Sequence, residues 1–391
     1  MLTSNIKFQS FNNNNNNKNK KKIITNIFKD IKKKFDNKRD LFLQSLSVNY
    51  ENSFNINNLK KYKKFNLYNL IGMGGSSLGA KAIYSFLNDR IKKKFNFEDN
   101  IDTQKKYSAD KKLNIVISKS GNTLETIVNL NTKKDIKNSV FITESNNNYL
   151  RKIAKEIDKE IFEHRNYIGG RYSVLSETGM LPAYLMGLDP KKFKRIDYLI
   201  KDKNFQNQLV YNVSSILDFH KKKKTNSIIL NYDPSSHDLF SWYQQLVAES
   251  LGKKSKGILP IISTMPKDNH SLMQLYLDGN RNNFFTFFRV ENRSSKKLNK
   301  KYLTNSHDYL SNKNTNDILK AQFEATQNVF KTKKIPFRSF VVQKRNEESL
   351  GELFTFFILE TILLGKALKI NPYDQPSVEL IKIDTKKKLI N

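Results

Sequence analysis

The chain has 391 residues, of which 69 are Lys or Arg and 37 are Asp or Glu, giving a formal net charge of +32. It contains no cysteine, and its five histidines (His164, His220, His237, His270 and His307) lack ligand spacing, so disulfides, thiolate metal sites and a cysteine nucleophile are excluded and no metal site is expected. The charge alone would mark a nucleic-acid binder, but the lysines fall in short runs along the whole chain beside many asparagines and isoleucines, residues with codons made only of A and T.

A biased genome explains that composition, and no zinc-finger or RNP-type sequence accompanies it, so no specific nucleic-acid partner is expected. Residues 1–44 read as a polar, basic segment, with an asparagine run at 12–17 as a flexible or helix-linking element. The opening MLTSNIKFQS has no apolar signal core. From about residue 65, apolar stretches at 66–73, 113–118 and 139–143 alternate with helical ones, the pattern of a parallel α/β layer. A second series, at 227–231, 257–263, 284–290 and 338–343, repeats it. A long helix over 349–369 and a shorter C-terminal one close the chain. The most apolar run, 353–364, is broken by Glu360 and falls short of the roughly 20 residues that span a bilayer, so a cytoplasmic protein without membrane association is expected. The expected fold is α/β: two αβα sandwich units with mainly parallel sheets over 45–190 and 191–345, flanked by the 1–44 segment and by C-terminal helices over 346–391 that complete the site.

The richest loop is 117–126, ISKSGNTLET, where a strand gives way to a helix and Ser118, Lys119, Ser120 and Thr123 crowd around Gly121. Such a bend presents unpaired N–H groups at a helix N-terminus, so hydroxyls and a lysine there make an anion site, most naturally for a phosphate. The plainer reading is an N-cap, which needs one hydroxyl only. The helix that follows places Leu124, Ile127 and Val128 on one face. At 72–79, GMGGSSLG, the glycines admit a ligand to the backbone and Ser76 opens the next helix, while serine at 77 breaks a dinucleotide fingerprint. Strand ends of a parallel sheet converge on one edge, so Gly75 and Ser76 can face the ligand of the SKSGNT loop.

Gly169-Gly170-Arg171 sets an arginine after two permissive glycines, suited to an oxyanion or a developing enolate, or else to a surface ion pair. Glu249 lies on a helix carrying Leu246 and Val247, and small, apolar neighbours can raise a carboxylate's proton affinity towards that of a general base. His270 has Asp268 close by to orient or charge it. Gln375 and Lys382, in YDQPSVELIK, are two helical turns apart where the segment is helical, and Pro376 suits the first turn.

Taken in order, IGMGGSSLG, SKSGNTLET, GGRYSVLS, AESLGKKSKG followed by DNHS, and YDQPSVELIK resemble the glucose-6-phosphate isomerase (phosphoglucose isomerase) family, which is built from two sugar-isomerase (SIS) domains. The likeness implies two SIS-type sandwiches, interconversion of glucose 6-phosphate and fructose 6-phosphate in glycolysis and gluconeogenesis, no cofactor, and a homodimer with shared active sites. It implies that Ser118, Lys119, Ser120 and Thr123 hold the substrate phosphate, with Gly75 and Ser76 lining the same pocket. Glu249 would move a proton between C1 and C2, and Arg171 would stabilise the cis-enediolate between those steps. His270, from the neighbouring subunit, and Lys382 would open and close the ring, and Gln375 would position hydroxyls. The chain departs from the family at Ser77, where aspartate is frequent, at Ser377, where glycine is, and in its reduced N-terminal region. Two alternatives stay open: an isomerase that also accepts mannose 6-phosphate, and a non-catalytic SIS-type sugar-phosphate sensor.

Overall fold

The computed structural model describes residues 2–12, 18–102, 111–291 and 295–390. Among them lie the strands β1 (Ile6–Gln9), β2 (Leu67–Ile71), β3 (Lys94–Glu98), β4 (Lys112–Ile117), β5 (Ser139–Thr143), β6 (Ile161–Glu163), β7 (Asn226–Asn231), β8 (Leu259–Thr264), β9 (Asn283–Val290) and β10 (Phe337–Val342). They form two five-stranded sheets. The first has the order β3-β2-β4-β5-β6, with every neighbouring pair parallel. The second has the order β1-β10-β9-β7-β8 and is parallel except for β1, which runs antiparallel along the β10 edge.

Parallel strands need crossover helices, which cover both sheet faces, so central strands read as unbroken apolar runs. Every residue of β2, β5 and β9 is buried accordingly. The strands that sequence reasoning passed over are β1, β3 and β6. β1 and β3 are edge strands of mixed burial, and β6 is a three-residue IFE, too short to carry a period.

The N-terminal segment is not set apart from the two units as its polar composition implied. β1 extends the second sheet, with Ile6 opposite Val342 and Phe8 opposite Phe340. Helix Lys18–Asp36 buries Ile24, Phe28, Ile31 and Phe35, a single apolar stripe that the surrounding lysines mask in any average. Asn12 exchanges hydrogen bonds with the Phe337 backbone. The asparagines at 13–17 lie outside the described residues.

Helix Glu347–Ala367, the first of the expected C-terminal helices, is also part of the core. It is buried almost throughout and lies against helices Lys18–Asp36, Lys203–Lys221 and His237–Leu251, forming the spine of the second unit. At its middle, Glu360 pairs with Arg338 of β10, both fully buried, with Asn212 and Tyr243 supplying further bonds. Charges removed from water require such partners. The last helix, Val378–Ile390, has no buried residue.

Two relationships position the site. Strand order in the first sheet reverses between β2 and β4, so the loops after them open side by side at the carboxyl edge. Across the units, helix His237–Leu251 packs along helix Leu78–Phe86, which follows the β2 loop. No described helix is long and apolar enough to cross a membrane.

Candidate active site

β4 ends at Ile117, and helix Leu124–Asn131 begins after Thr123. Gly121, between them, has a φ of +66°, and a Cβ there would fall 1.9 Å from Asn148 Oδ1, so conformation and space both demand glycine. The buried Ser118 hydroxyl lies 2.8 Å from Thr123 Oγ1 and accepts the Gly121 N–H at 3.1 Å. Ser120 Oγ accepts the Asn122 N–H at 3.3 Å. Thr123 occupies the N-cap position, yet its side chain makes no capping bond, so the hydroxyls of this loop are not there to close the helix. The Lys119 amine donates to the Asn166 carbonyl at 2.8 Å and stands 3.6 Å from Glu144. The helix face also differs from expectation: Leu124 is exposed, and Thr126, Asn129 and Leu130 are the buried residues, because the helix rests on β2 and β4 through its polar side.

The β2 loop makes a short turn over Gly74–Ser76, and the helix starts only at Leu78, so Ser76 does not open it. A Cβ on Gly75 would lie 2.2 Å from the Gly170 carbonyl, and one on Gly74 2.8 Å from Gln245 Nε2. The glycine loop is therefore pressed directly onto the arginine segment and onto the helix that carries Glu249.

Arg171 is 2% exposed and uses all five of its N–H groups. Nη1 donates to Glu249 Oε1 and to Gln375 Oε1, each at 2.9 Å. Nη2 donates to the carbonyls of Pro372 at 2.7 Å and Asp374 at 3.0 Å, and Nε donates to Ser250 Oγ at 2.7 Å. The second oxygen of Glu249 accepts from Gln245 Nε2 at 2.8 Å. Glu249 thus meets polar donors rather than the apolar neighbours its helix suggested. It opens, with Gln375, onto a cavity of about 380 Å3 that Lys253, Ser377 and Val378 also line. Lys253 bonds the Asp374 carboxylate at 2.7 Å and the Asn371 carbonyl at 2.6 Å, pinning the turn that holds Gln375, and its hydrogen bond keeps the Asp374 carboxyl below the usual range. A larger cavity, about 520 Å3 among Arg90, Glu291, Arg345 and Glu347, contains none of these residues.

Two expected residues are not brought to this cluster. Helix Val378–Ile390 begins after Gln375 and Pro376, so the two-turn spacing does not apply; the Lys382 side chain is 66% exposed and pairs with Glu379 at 2.6 Å. His270 follows the short turn Lys267–Asn269 beyond β8 and is exposed. Asp268 does not orient it, because its oxygens accept from Ser263 Oγ, the Thr264 N–H and Ser271 Oγ. Burial pushes the Asp268 carboxyl up, but those bonds hold it below its ordinary value.

Gln245, Ser250, Tyr172 and Lys253 escaped sequence reasoning. Gln245 was within reach, since it precedes Glu249 by one helical turn on the same face. The carbonyls of Pro372 and Asp374 leave no sequence signal. Among the described residues, no group of three or more His, Asp or Glu side chains could hold a metal ion.

Residues 49–389 match the phosphoglucose isomerase family. The chain belongs to that family. The probable glucose-6-phosphate isomerase of Methanococcus maripaludis is 32% identical over 424 residues, covering 99% of this chain and 93% of the relative. The glucose-6-phosphate isomerase of Methanocaldococcus jannaschii is 33% identical, covering 79% and 80%. A hypothetical protein from Thermus thermophilus matches the fold with a TM-score of 0.82 at 23% identity, over 93% of this chain and 95% of the other. A glucose-6-phosphate isomerase from Chlamydia trachomatis does so at 0.71 and 19% identity, over 85% and 72%. The mainly parallel α/β architecture expected of a phosphoglucose isomerase is the one found.

Proposed function

We propose that this chain interconverts D-glucose 6-phosphate and D-fructose 6-phosphate through a cis-enediolate, serving glycolysis and gluconeogenesis in the cytoplasm. The observation that carries the reading is the 2.9 Å bond from Arg171 Nη1 to Glu249 at the edge of a sugar-sized cavity. Exchanging an aldose for a ketose needs a base beside C1 and C2 and a cation beside the oxygen that gains charge. Glu249 takes the C2 proton of the open-chain aldose, and the electron pair moves to O1, giving the enediolate that Arg171 stabilises. A proton then passes from O2 to O1, and Glu249 returns its proton to C1.

Ser118, Ser120 and Thr123, with the backbone at Lys119, are assigned to the phosphate. Gly75 and Ser76 line the way from that anchor to the base, so binding at C6 orients C1 and C2. Gln375 is assigned to the sugar hydroxyls. Ring opening falls to Lys382 and to His270 of a second copy in a homodimer. In support of a second copy, Leu380 and Ile381 of the last helix are 70% and 71% exposed, an apolar surface that association would cover.

A coupled assay with glucose 6-phosphate and fructose 6-phosphate, run with mannose 6-phosphate alongside, tests the proposal. Binding without turnover by folded protein would return the chain to the sensor reading.

A further inference from the structure

Ser250 directly follows Glu249, is wholly buried, and has no part in the chemistry above. Its hydroxyl lies 2.7 Å from Arg171 Nε and 2.8 Å from Tyr172 Oη. Tyr172 Oη lies 3.1 Å from the Pro372 carbonyl, which also accepts Arg171 Nη2 at 2.7 Å. The two ends of this series fix its proton order, since a guanidinium only donates and a carbonyl only accepts. Tyr172 therefore donates to Pro372, Ser250 donates to Tyr172, and Ser250 accepts from Arg171. The result is a closed ring that leaves the guanidinium at Nε and returns to it at Nη2. Arg171, Tyr172 and Ser250 are 2%, 1% and 0% exposed, so water does not compete for these bonds. The Tyr172 ring also lies under the guanidinium, 5.3 Å from its carbon.

We infer that Ser250 is a positioning residue: through Tyr172 and the Pro372 carbonyl it sets the plane of the Arg171 guanidinium and leaves Nη1 alone to face Glu249, Gln375 and the cavity. Three of the five donors are tied to scaffold acceptors outside the chemistry: the Ser250 hydroxyl and the backbone carbonyls of Pro372 and Asp374. Stabilisation of a developing oxyanion depends on a donor already aimed when charge appears. Because Ser250 and Glu249 are adjacent on one helix, the base and the group that aims the cation move together. The inference rests on the isomerase reading and deepens it.

A double-mutant cycle with Ser250→Ala, Arg171→Lys and the pair, on the full-length protein in the coupled assay, tests it. Ser250→Ala lowers kcat by about tenfold to a hundredfold, with KM held within about twofold. In the Arg171→Lys background, where no Nε remains to be aimed, the same change costs nothing further. A serine that is merely structural would lower kcat equally in both backgrounds or leave kcat untouched while lowering thermal stability, and either result overturns the inference. Tyr172→Phe opens the ring while keeping the bond from Arg171 to Ser250, so it carries the test if the alanine variant does not fold. It lowers kcat at constant KM, and an unchanged kcat overturns the inference. A parent protein without turnover defeats the isomerase reading, whereas an active parent indifferent to Ser250 defeats this inference alone.

Discussion

Arg171 and Glu249 stand 78 positions apart in sequence and meet at 2.9 Å, the guanidinium sealed from solvent and the carboxylate 24% open to the cavity. That asymmetry fits unequal tasks. A buried guanidinium without acceptors would be costly, and four other acceptors hold it whether or not Glu249 does. Glu249 can therefore turn to a substrate without stranding the arginine.

Glu249→Gln keeps an acceptor for Arg171 and removes the base. We expect a folded protein with an almost unchanged melting temperature and with kcat lower by about 10² to 10⁴. A glutamine variant as active as its parent in the coupled assay would sink the assignment of Glu249 as the base.

At the other end of the substrate, Ser118→Ala and Thr123→Val each remove a hydroxyl assigned to a dianion. Bonds to charged groups contribute about 1.5–3 kcal/mol, so KM for either sugar phosphate rises by about tenfold or more while kcat changes little. Gly121→Ala goes further, because its Cβ collides with Asn148 at a φ of +66°. Initial-rate kinetics separate the cases: a fall in kcat at constant KM for the hydroxyl variants would place this loop in the chemistry rather than in anchoring.

How far the sequence reached depends on how local each signal is. The buried strands declared themselves, since β4 (KLNIVI) and β5 (SVFIT) are short, mostly apolar runs bounded by turns. Glycine and hydroxyl loops were legible because their conformational demands sit within a few residues. The set of acceptors around Arg171 was not, for it joins positions up to 204 apart and two of the acceptors are carbonyls that any residue supplies. Composition misled at the N-terminus, where the stripe Ile24, Phe28, Ile31, Phe35 carries the packing and lysines carry the average. At Lys382, a helical spacing was read across a helix start that lies at Val378.

His164 gives a stability prediction. It is 1% exposed beside β6, its Nδ1 lies 3.1 Å from the Arg165 carbonyl, and burial, with the nearby Lys119 charge adding, lowers its pKa from 6.5 to about 4. Between those values the unfolded chain binds a proton that the folded chain refuses. The associated stability is complete above about pH 6.5 and is lost as pH falls towards 4, by about 3 kcal/mol at most. His164→Asn has no such group, so its urea midpoint falls less steeply than the parent's from pH 7 to pH 4.5, the carboxylates common to both cancelling. Parallel profiles would show that the imidazole charges in the folded state as readily as in water.

The separation of His270 from Glu249 within one chain leads to the last prediction. If each site takes its base from one subunit and His270 from the other, Glu249→Gln and His270→Ala chains are each nearly inactive as homodimers. A mixed dimer then holds one site with Glu249 and His270 both intact and one with neither. Co-expression with random pairing makes half the dimers mixed, so activity returns to about a quarter of the parent's. Were His270 to act in its own chain, no site in the mixture would hold both groups and nothing would return. Placing Leu380→Glu and Ile381→Glu in both chains, where the exposed apolar side chains of the last helix are charged, should convert the protein to monomer by sedimentation and abolish the recovery. Recovery that survives in monomeric protein would separate ring opening from subunit contact.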